Sequence, residues 1–137
     1  MKKVLITGGA GYIGSMLCTE LVRLGYKVTV LDLLKYNKNS LSHLYFYKNF
    51  KFIFGDARDK STMKSLIKKN EYIVPLAGLV GAPLCDKFKK DAKSTNFEAI
   101  KMIKTDMIIG LGTGSTAKIF VDLLAQKYME EEFNIKV

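Results

Sequence analysis

The chain has 137 residues, 48% of them hydrophobic and 26% charged, which is enough for one domain with a single core. It contains no apolar run of about 18 residues or more, so the sequence predicts no transmembrane helix and no membrane partner. The net charge of +9 comes from scattered lysines with only two arginines. Arginine dominates specific nucleic-acid readout, so no specific nucleic-acid partner is expected. Two cysteines without a disulfide pattern favour a cytoplasmic protein.

Short apolar runs alternate with helical patterns along the chain. The runs predict six strands, at residues 3–7, 27–34, 51–56, 71–78, 107–114 and 133–137. Helical spacing predicts helices at residues 15–26, 60–70, 91–104 and 115–132, with a short helix or loop at 40–50. This alternation predicts one α/β domain over residues 1–137. Its expected fold is a doubly wound, Rossmann-like parallel sheet in three layers, with strand order 3-2-1-4-5-6.

A glycine-rich loop follows the first predicted strand and opens the first predicted helix. Its spacing is Gly9-x-Gly11-x-x-Gly14. Glycines there let backbone NH groups at a helix N-terminus approach a pyrophosphate. Asp32 ends the second strand, where a carboxylate accepts hydrogen bonds from a ribose diol and disfavours a ribose 2′-phosphate. The pattern indicates an NAD site, with preference over NADP; the alternative is a tight turn that holds no cofactor.

Four stretches occur in order and carry a family resemblance: MKKVLITGGAGYIGSML, VTVLDLL, FIFGDARD and PLAGLVGAPLC. Over residues 1 to about 103 the chain resembles the extended short-chain dehydrogenase/reductases that act as NAD-dependent nucleotide-sugar epimerases and dehydratases. The resemblance implies a pyrophosphate site lined by Gly8, Gly11, Tyr12, Ile13 and Gly14. It implies that Asp32 holds the adenosine ribose, that Asp56 and Ala57 meet the adenine edge, and that the nicotinamide side is backed by Leu76, Ala77 and Gly78. Pro75 departs from the family, which usually has histidine there.

The catalytic residues of that family are not matched in the expected place. The family uses a Tyr-x-x-x-Lys pair as general acid/base, downstream of the fifth strand. The one match in this sequence is Tyr47 with Lys51, just before the third predicted strand, and we interpret it as coincidence. No catalytic residue is therefore assigned, and no metal ligands are.

A second glycine-rich loop, GLGTGST, occupies residues 110–116. Its glycine spacing does not fit a dinucleotide, whereas backbone NH groups and hydroxyls at a helix start suit a phosphate monoester or sulfate. Residues of about 104–137 resemble the first unit of A-type ribose-5-phosphate isomerases. That resemblance implies a sugar-phosphate site at Gly112, Thr113, Gly114, Ser115 and Thr116. The family's catalytic groups lie downstream of this unit, so isomerase activity is not expected.

The two resemblances together predict a chimera, an epimerase-like segment at 1–103 followed by an isomerase-like segment at 104–137. Three functions remain open at this point: a module that binds NAD without turning it over, a designed or recombined chain with vestigial nucleotide and sugar-phosphate sites, and an active nucleotide-sugar epimerase. A homodimer is a further expectation, because missing downstream segments would leave apolar surface uncovered.

Overall fold

The computed structural model describes residues 1–78, the pair 108–109 and residue 125. Five strands form one sheet: β1 (Lys3–Thr7), β2 (Lys27–Asp32), β3 (Phe50–Phe54), β4 (Tyr72–Pro75) and β5 (Ile108–Ile109). In the described part of the chain two α-helices connect strands: α1 (Tyr12–Arg23) between β1 and β2, and α2 (Lys60–Ile67) between β3 and β4. A 3-10 turn, Ser42–Leu44, lies between β2 and β3.

All strand pairs in this sheet are parallel, and their order is β3-β2-β1-β4-β5. The reversal between β1 and β4 defines a doubly wound sheet, because the chain winds outward in both directions from β1. The predicted order is therefore confirmed for these five strands. The predicted sixth strand, residues 133–137, and the predicted helix at 91–104 lie outside the described residues.

Helices cover both faces of the central strands β1 and β2, which explains why residues on both faces of these two strands are buried after the first lysine. Alternate residues of β1 point to opposite sides: Val4 and Ile6 pack against α1, whereas Leu5 packs against α2. The α1 side also buries Cys18, and burial raises the pKa of its thiol to about 12. The α2 side is filled mainly by Leu31, Met63, Leu66, Ile67 and Ile73. Two cores with the sheet between them make the three predicted layers.

The connection from β2 to β3 runs along α1 instead of leaving the surface. Leu41 and Leu44 are buried in the α1 core. The side chain of His43 hydrogen-bonds the Thr19 hydroxyl over 2.8 Å. At the far end of the helix, the Asn49 amide donates to two backbone carbonyls, those of Val22 and Tyr26. These contacts hold the connection against the whole length of α1.

Several element boundaries differ from the sequence prediction by one to three residues, and two of them lie next to the first glycine-rich loop. Helix α1 begins at Tyr12, three residues before the predicted start, because Gly11 takes the N-cap position with extended backbone. Strand β4 ends at Pro75, whereas the prediction extended it to Gly78. No helix in the described part of the chain has the length and apolarity needed to cross a membrane.

Candidate binding site at the carboxyl edge of the sheet

The chain from the end of β1 into the start of α1, residues 8–14, is rich in glycine, and we call it the glycine turn. At three of its positions the neighbouring atoms leave no room for a side chain. Gly8 has a positive φ of 74°, and a Cβ there would stand 2.5 Å from the Ala77 nitrogen. A Cβ on Gly14 would stand 2.6 Å from the Gly8 oxygen, also a backbone atom. At Gly9 a Cβ would come within 2.7 Å of a Val30 methyl. The fold itself therefore excludes side chains at these three positions.

Gly11 is different from the other glycines of the turn. Its backbone is ordinary, with φ −70° and ψ 176°, and among the described residues a Cβ would meet only the Gly8 oxygen, at 3.2 Å. Packing therefore constrains this position less than it constrains Gly8, Gly9 and Gly14. A group outside the chain that must approach the Gly11 backbone closely is a stronger reason.

The N-terminus of α1 presents backbone donors that no described residue uses. The first helical hydrogen bond runs from the Ser15 NH to the Gly11 carbonyl, at 2.9 Å. The NH groups of Tyr12, Ile13 and Gly14 precede it, and no side chain in the described part of the chain caps them. The first turn contains no acidic residue. Three free donors and the positive end of the helix dipole make an anion-binding geometry.

Asp32 stands at the carboxyl end of β2, beside this turn. One carboxylate oxygen accepts from the Ala10 NH at 2.9 Å, and the other accepts from the Leu34 NH at 2.7 Å. A carboxylate oxygen accepts more than one hydrogen bond, so Asp32 keeps acceptor capacity for hydroxyl groups. Leu34 has a positive φ of 53°, unusual for leucine, and its bond to Asp32 holds that conformation. The sequence predicted a ligand-facing Asp32, whereas the bond to the glycine turn was not foreseen.

Asp56 and Ala57 follow β3 at the same edge of the sheet. The Asp56 carboxylate accepts from the Arg58 backbone NH and from its guanidinium, whose closest nitrogen is 2.6 Å away. These hydrogen bonds hold the pKa of Asp56 below its usual range. The Ala57 side chain is buried in the α2 core, so only its backbone groups are available to a ligand.

The segment after β4 packs directly on the glycine turn. The Leu76 NH donates to the Thr7 carbonyl at 2.8 Å, which places Ala77 against Gly8. Pro75 pairs in register with Thr7 as the last residue of β4. The residues predicted on both sides of the ligand therefore converge at one edge, in three groups: the glycine turn, the ends of β2 and β3, and the end of β4.

Two further features of the sequence were singled out, and the structure describes one of them. Tyr47 precedes β3 and Lys51 is its second residue, so both are at the amino edge, opposite the glycine turn. The second glycine-rich loop, with its five predicted phosphate-binding residues Gly112, Thr113, Gly114, Ser115 and Thr116, lies outside the described residues. The strand that leads into it, β5, does join the sheet beside β4, as predicted.

Comparison with known proteins agrees with this geometry. A solved UDP-glucose-4-epimerase from Stenotrophomonas maltophila with bound NAD superposes with a TM-score of 0.76 at 20% identity, over 98% of this chain and 51% of that chain. A UDP-N-acetyl-alpha-D-glucosaminuronate decarboxylase from Bacillus cytotoxicus is 34% identical over 102 residues, 74% of this chain and 32% of that protein. A CDP-paratose 2-epimerase from Salmonella typhi is 32% identical over 142 residues, 95% of this chain and 41% of that protein.

The chain thus spans well under half the length of these two curated relatives. The sequence profile of the NAD dependent epimerase/dehydratase family matches residues 4–102, which include the glycine turn, Asp32 and Asp56. Most of the chain is matched, and its fold superposes on that of the solved Stenotrophomonas protein. The chain therefore belongs to the NAD dependent epimerase/dehydratase family.

Proposed function

We propose that this chain binds NAD at the carboxyl edge of its sheet. The observation that carries the proposal is the N-terminus of α1, where three backbone NH groups are free and Gly11 carries no side chain. A pyrophosphate placed there accepts from those donors and meets the positive end of the helix dipole. The NAD in the solved Stenotrophomonas relative supports the choice of ligand.

The adenosine half lies toward β2 and β3 in this proposal. Asp32 accepts from the ribose diol, and its negative charge repels a 2′-phosphate, so NAD binds more tightly than NADP. Asp56 and the backbone of Ala57 meet the adenine edge. The nicotinamide half lies toward Leu76, Ala77 and Gly78, of which Leu76 and Ala77 lie beside Gly8 at the end of β4.

The decisive experiment is a calorimetric titration of NAD into the native chain and into Gly11→Val. Valine is compatible with the φ and ψ of Gly11, its Cβ meets the Gly8 oxygen closely at 3.2 Å, and its methyl groups add bulk beside the free NH groups. We therefore expect NAD affinity to fall more than about tenfold. The stability loss should be only about 1 kcal/mol, the cost of a poorer N-cap.

Gly25→Ala is the matched control. Gly25 has a positive φ of 82°, unlike Gly11, and lies at the opposite end of α1, where no described atom is near the position of a Cβ. Alanine there costs about 1 kcal/mol of backbone strain and should leave NAD affinity unchanged. Equal affinities of the native chain for NAD and NADP, or unchanged NAD affinity in Gly11→Val, would contradict the proposal.

For activity, we propose that these residues supply cofactor binding and no complete catalytic site of their own. The one Tyr-x-x-x-Lys match, Tyr47 and Lys51, lies at the edge opposite the glycine turn, which supports this view. An active nucleotide-sugar epimerase is the alternative, favoured by the names of the relatives. Turnover of a UDP-sugar by the purified chain decides between the two.

We also propose that the GLGTGST loop binds a phosphate or sulfate ion separately, as an isomerase-like segment of a chimera would. Only the sequence motif supports this. The alignment with the Salmonella epimerase, which covers 95% of the chain, continues through the same residues and favours an origin within one family. Titration of inorganic phosphate into NAD-saturated protein tests the separate site, because a shared site would leave no phosphate binding.

A further inference from the structure

The peptide group between Ala10 and Gly11 is fixed at both of its polar atoms. Its NH, on Gly11, donates to the Gly8 carbonyl at 3.1 Å. Its carbonyl, on Ala10, accepts from the Ser40 hydroxyl at 2.8 Å. This peptide immediately precedes the three free donors of α1, so its orientation decides whether NH groups or a carbonyl oxygen face an approaching anion.

Ser40 reaches this peptide from thirty positions away, and the core holds it there. Its neighbour Leu41 is buried at 2% exposure, and Leu44 at 1%, in the same core as Ala10. The Ser40 hydroxyl has one proton and two carbonyls in range, those of Ala10 at 2.8 Å and Asn37 at 3.4 Å. The shorter distance identifies the Ala10 carbonyl as the acceptor.

We propose that Ser40 is a positioning residue for dinucleotide binding. It acts through the Ala10–Gly11 peptide and does not touch the ligand. Without its hydroxyl, the Ala10 carbonyl loses this partner and only the Gly11 NH still holds the peptide, so the peptide rotates more readily and turns a partial negative charge toward the pyrophosphate. Asp32 binds the Ala10 NH and Ser40 binds the Ala10 carbonyl. Through these two bonds the end of β2 and the β2–β3 connection fix the backbone of the glycine turn. The effect on NAD affinity rests on the proposed function.

The test uses Ser40→Ala, with Ser42→Ala as a matched control. The Ser42 hydroxyl also donates to a backbone carbonyl, that of Asn39 at 2.9 Å, but this bond stays within the connection. We expect Ser40→Ala to weaken NAD binding about three- to tenfold, as the loss of one hydrogen bond implies. Ser42→Ala should leave NAD binding unchanged, and Ser40→Thr, which keeps the hydroxyl, should restore most of it.

Amide hydrogen exchange without ligand gives an independent readout. In Ser40→Ala the Gly11 amide should exchange faster than in the native chain, while amides in the middle of α1 keep their protection. If Gly11 exchange and NAD affinity respond equally to both serine variants, the positioning role is wrong. If NAD does not bind the native chain but Gly11 exchange still depends on Ser40, the proposed function fails and the positioning of the turn stands.

Discussion

The two ends of β1, β2 and β3 carry opposite chemistry. At their carboxyl ends stand the glycine turn, Asp32 and Asp56, and the Asp32 carboxylate accepts from the Ala10 NH of the turn. At their amino ends, Lys3, Lys27 and Lys51 line a groove of about 670 Å³ with Lys69 from the end of α2. We call this groove the basic groove. This sizeable concavity lies away from the glycine turn.

The difference shows what marks a binding site in this fold. Helices follow the carboxyl ends of parallel strands, so helix N-termini and loop backbone meet there, and their donors converge on one point. In the basic groove, charge is abundant, but none of the four lysines forms an ion pair with a described carboxylate. Long exposed side chains of that kind are ordinary solvated surface. Fixed backbone groups, more than cavity volume, therefore identify the site.

The largest expected effect comes from filling the tight turn at the carboxyl edge. In Gly14→Ala the new Cβ meets the Gly8 oxygen at 2.6 Å and the Gly9 Cα at the same distance, and neither backbone atom has room to move. We expect a loss of about 3 kcal/mol or more in the free energy of unfolding, measured by urea denaturation. Gly25→Ala is again the control, at about 1 kcal/mol. Equal losses in the two variants would show that the turn is not tight.

An intermediate effect depends on pH and concerns the start of α2. Asp59 caps this helix by accepting from the Ser61 NH and hydroxyl and from the Thr62 hydroxyl, and these bonds lower its pKa to about 2. Its unfolded pKa is about 3.9, so its contribution is complete above pH 4 and is lost as pH falls toward 2. Asp59→Asn should therefore be less stable than the native chain at pH 7, with the difference shrinking between pH 4 and 2. A difference that stays constant over that range would contradict the assignment.

The smallest effect is expected in the basic groove. Lys27→Gln combined with Lys51→Gln should change the free energy of unfolding by no more than about 0.5 kcal/mol and leave NAD affinity within twofold. Lys64→Gln combined with Lys68→Gln, on the exposed side of α2, removes the same charge outside the groove. If the double variant at Lys27 and Lys51 weakens NAD binding and the double variant at Lys64 and Lys68 does not, the amino edge takes part in the site. The contrast drawn between the two edges would then be wrong.

The sequence was sufficient for the strand order because that order follows from local patterns and from the handedness of parallel crossovers. The glycine turn was also predictable, since all its residues lie within a few positions of one another. The hydrogen bonds that hold this turn in place, from Asp32 and from Ser40, could not be predicted. Asp32 and Ala10 are 22 positions apart, and Ser40 and Ala10 are 30 apart, so no spacing rule connects them. Ala57 shows the reverse case. The family motif predicted that Ala57 contacts the ligand, whereas its side chain is buried in the core.

The contacts of the β2–β3 connection with α1 have a consequence for how this chain tolerates changes in length. Ser40, His43 and Asn49 meet successive points of the turn and helix, from Ala10 through Thr19 to Tyr26. A residue inserted between Ser40 and Asn49 moves the side chains that follow it away from their partners on α1. The length of this segment is therefore constrained, although its regular structure is one short 3-10 turn. Residues 35–39, which are exposed, carry no such constraint. The connection therefore divides into a stretch that accepts insertions and a stretch whose length is as fixed as that of a strand.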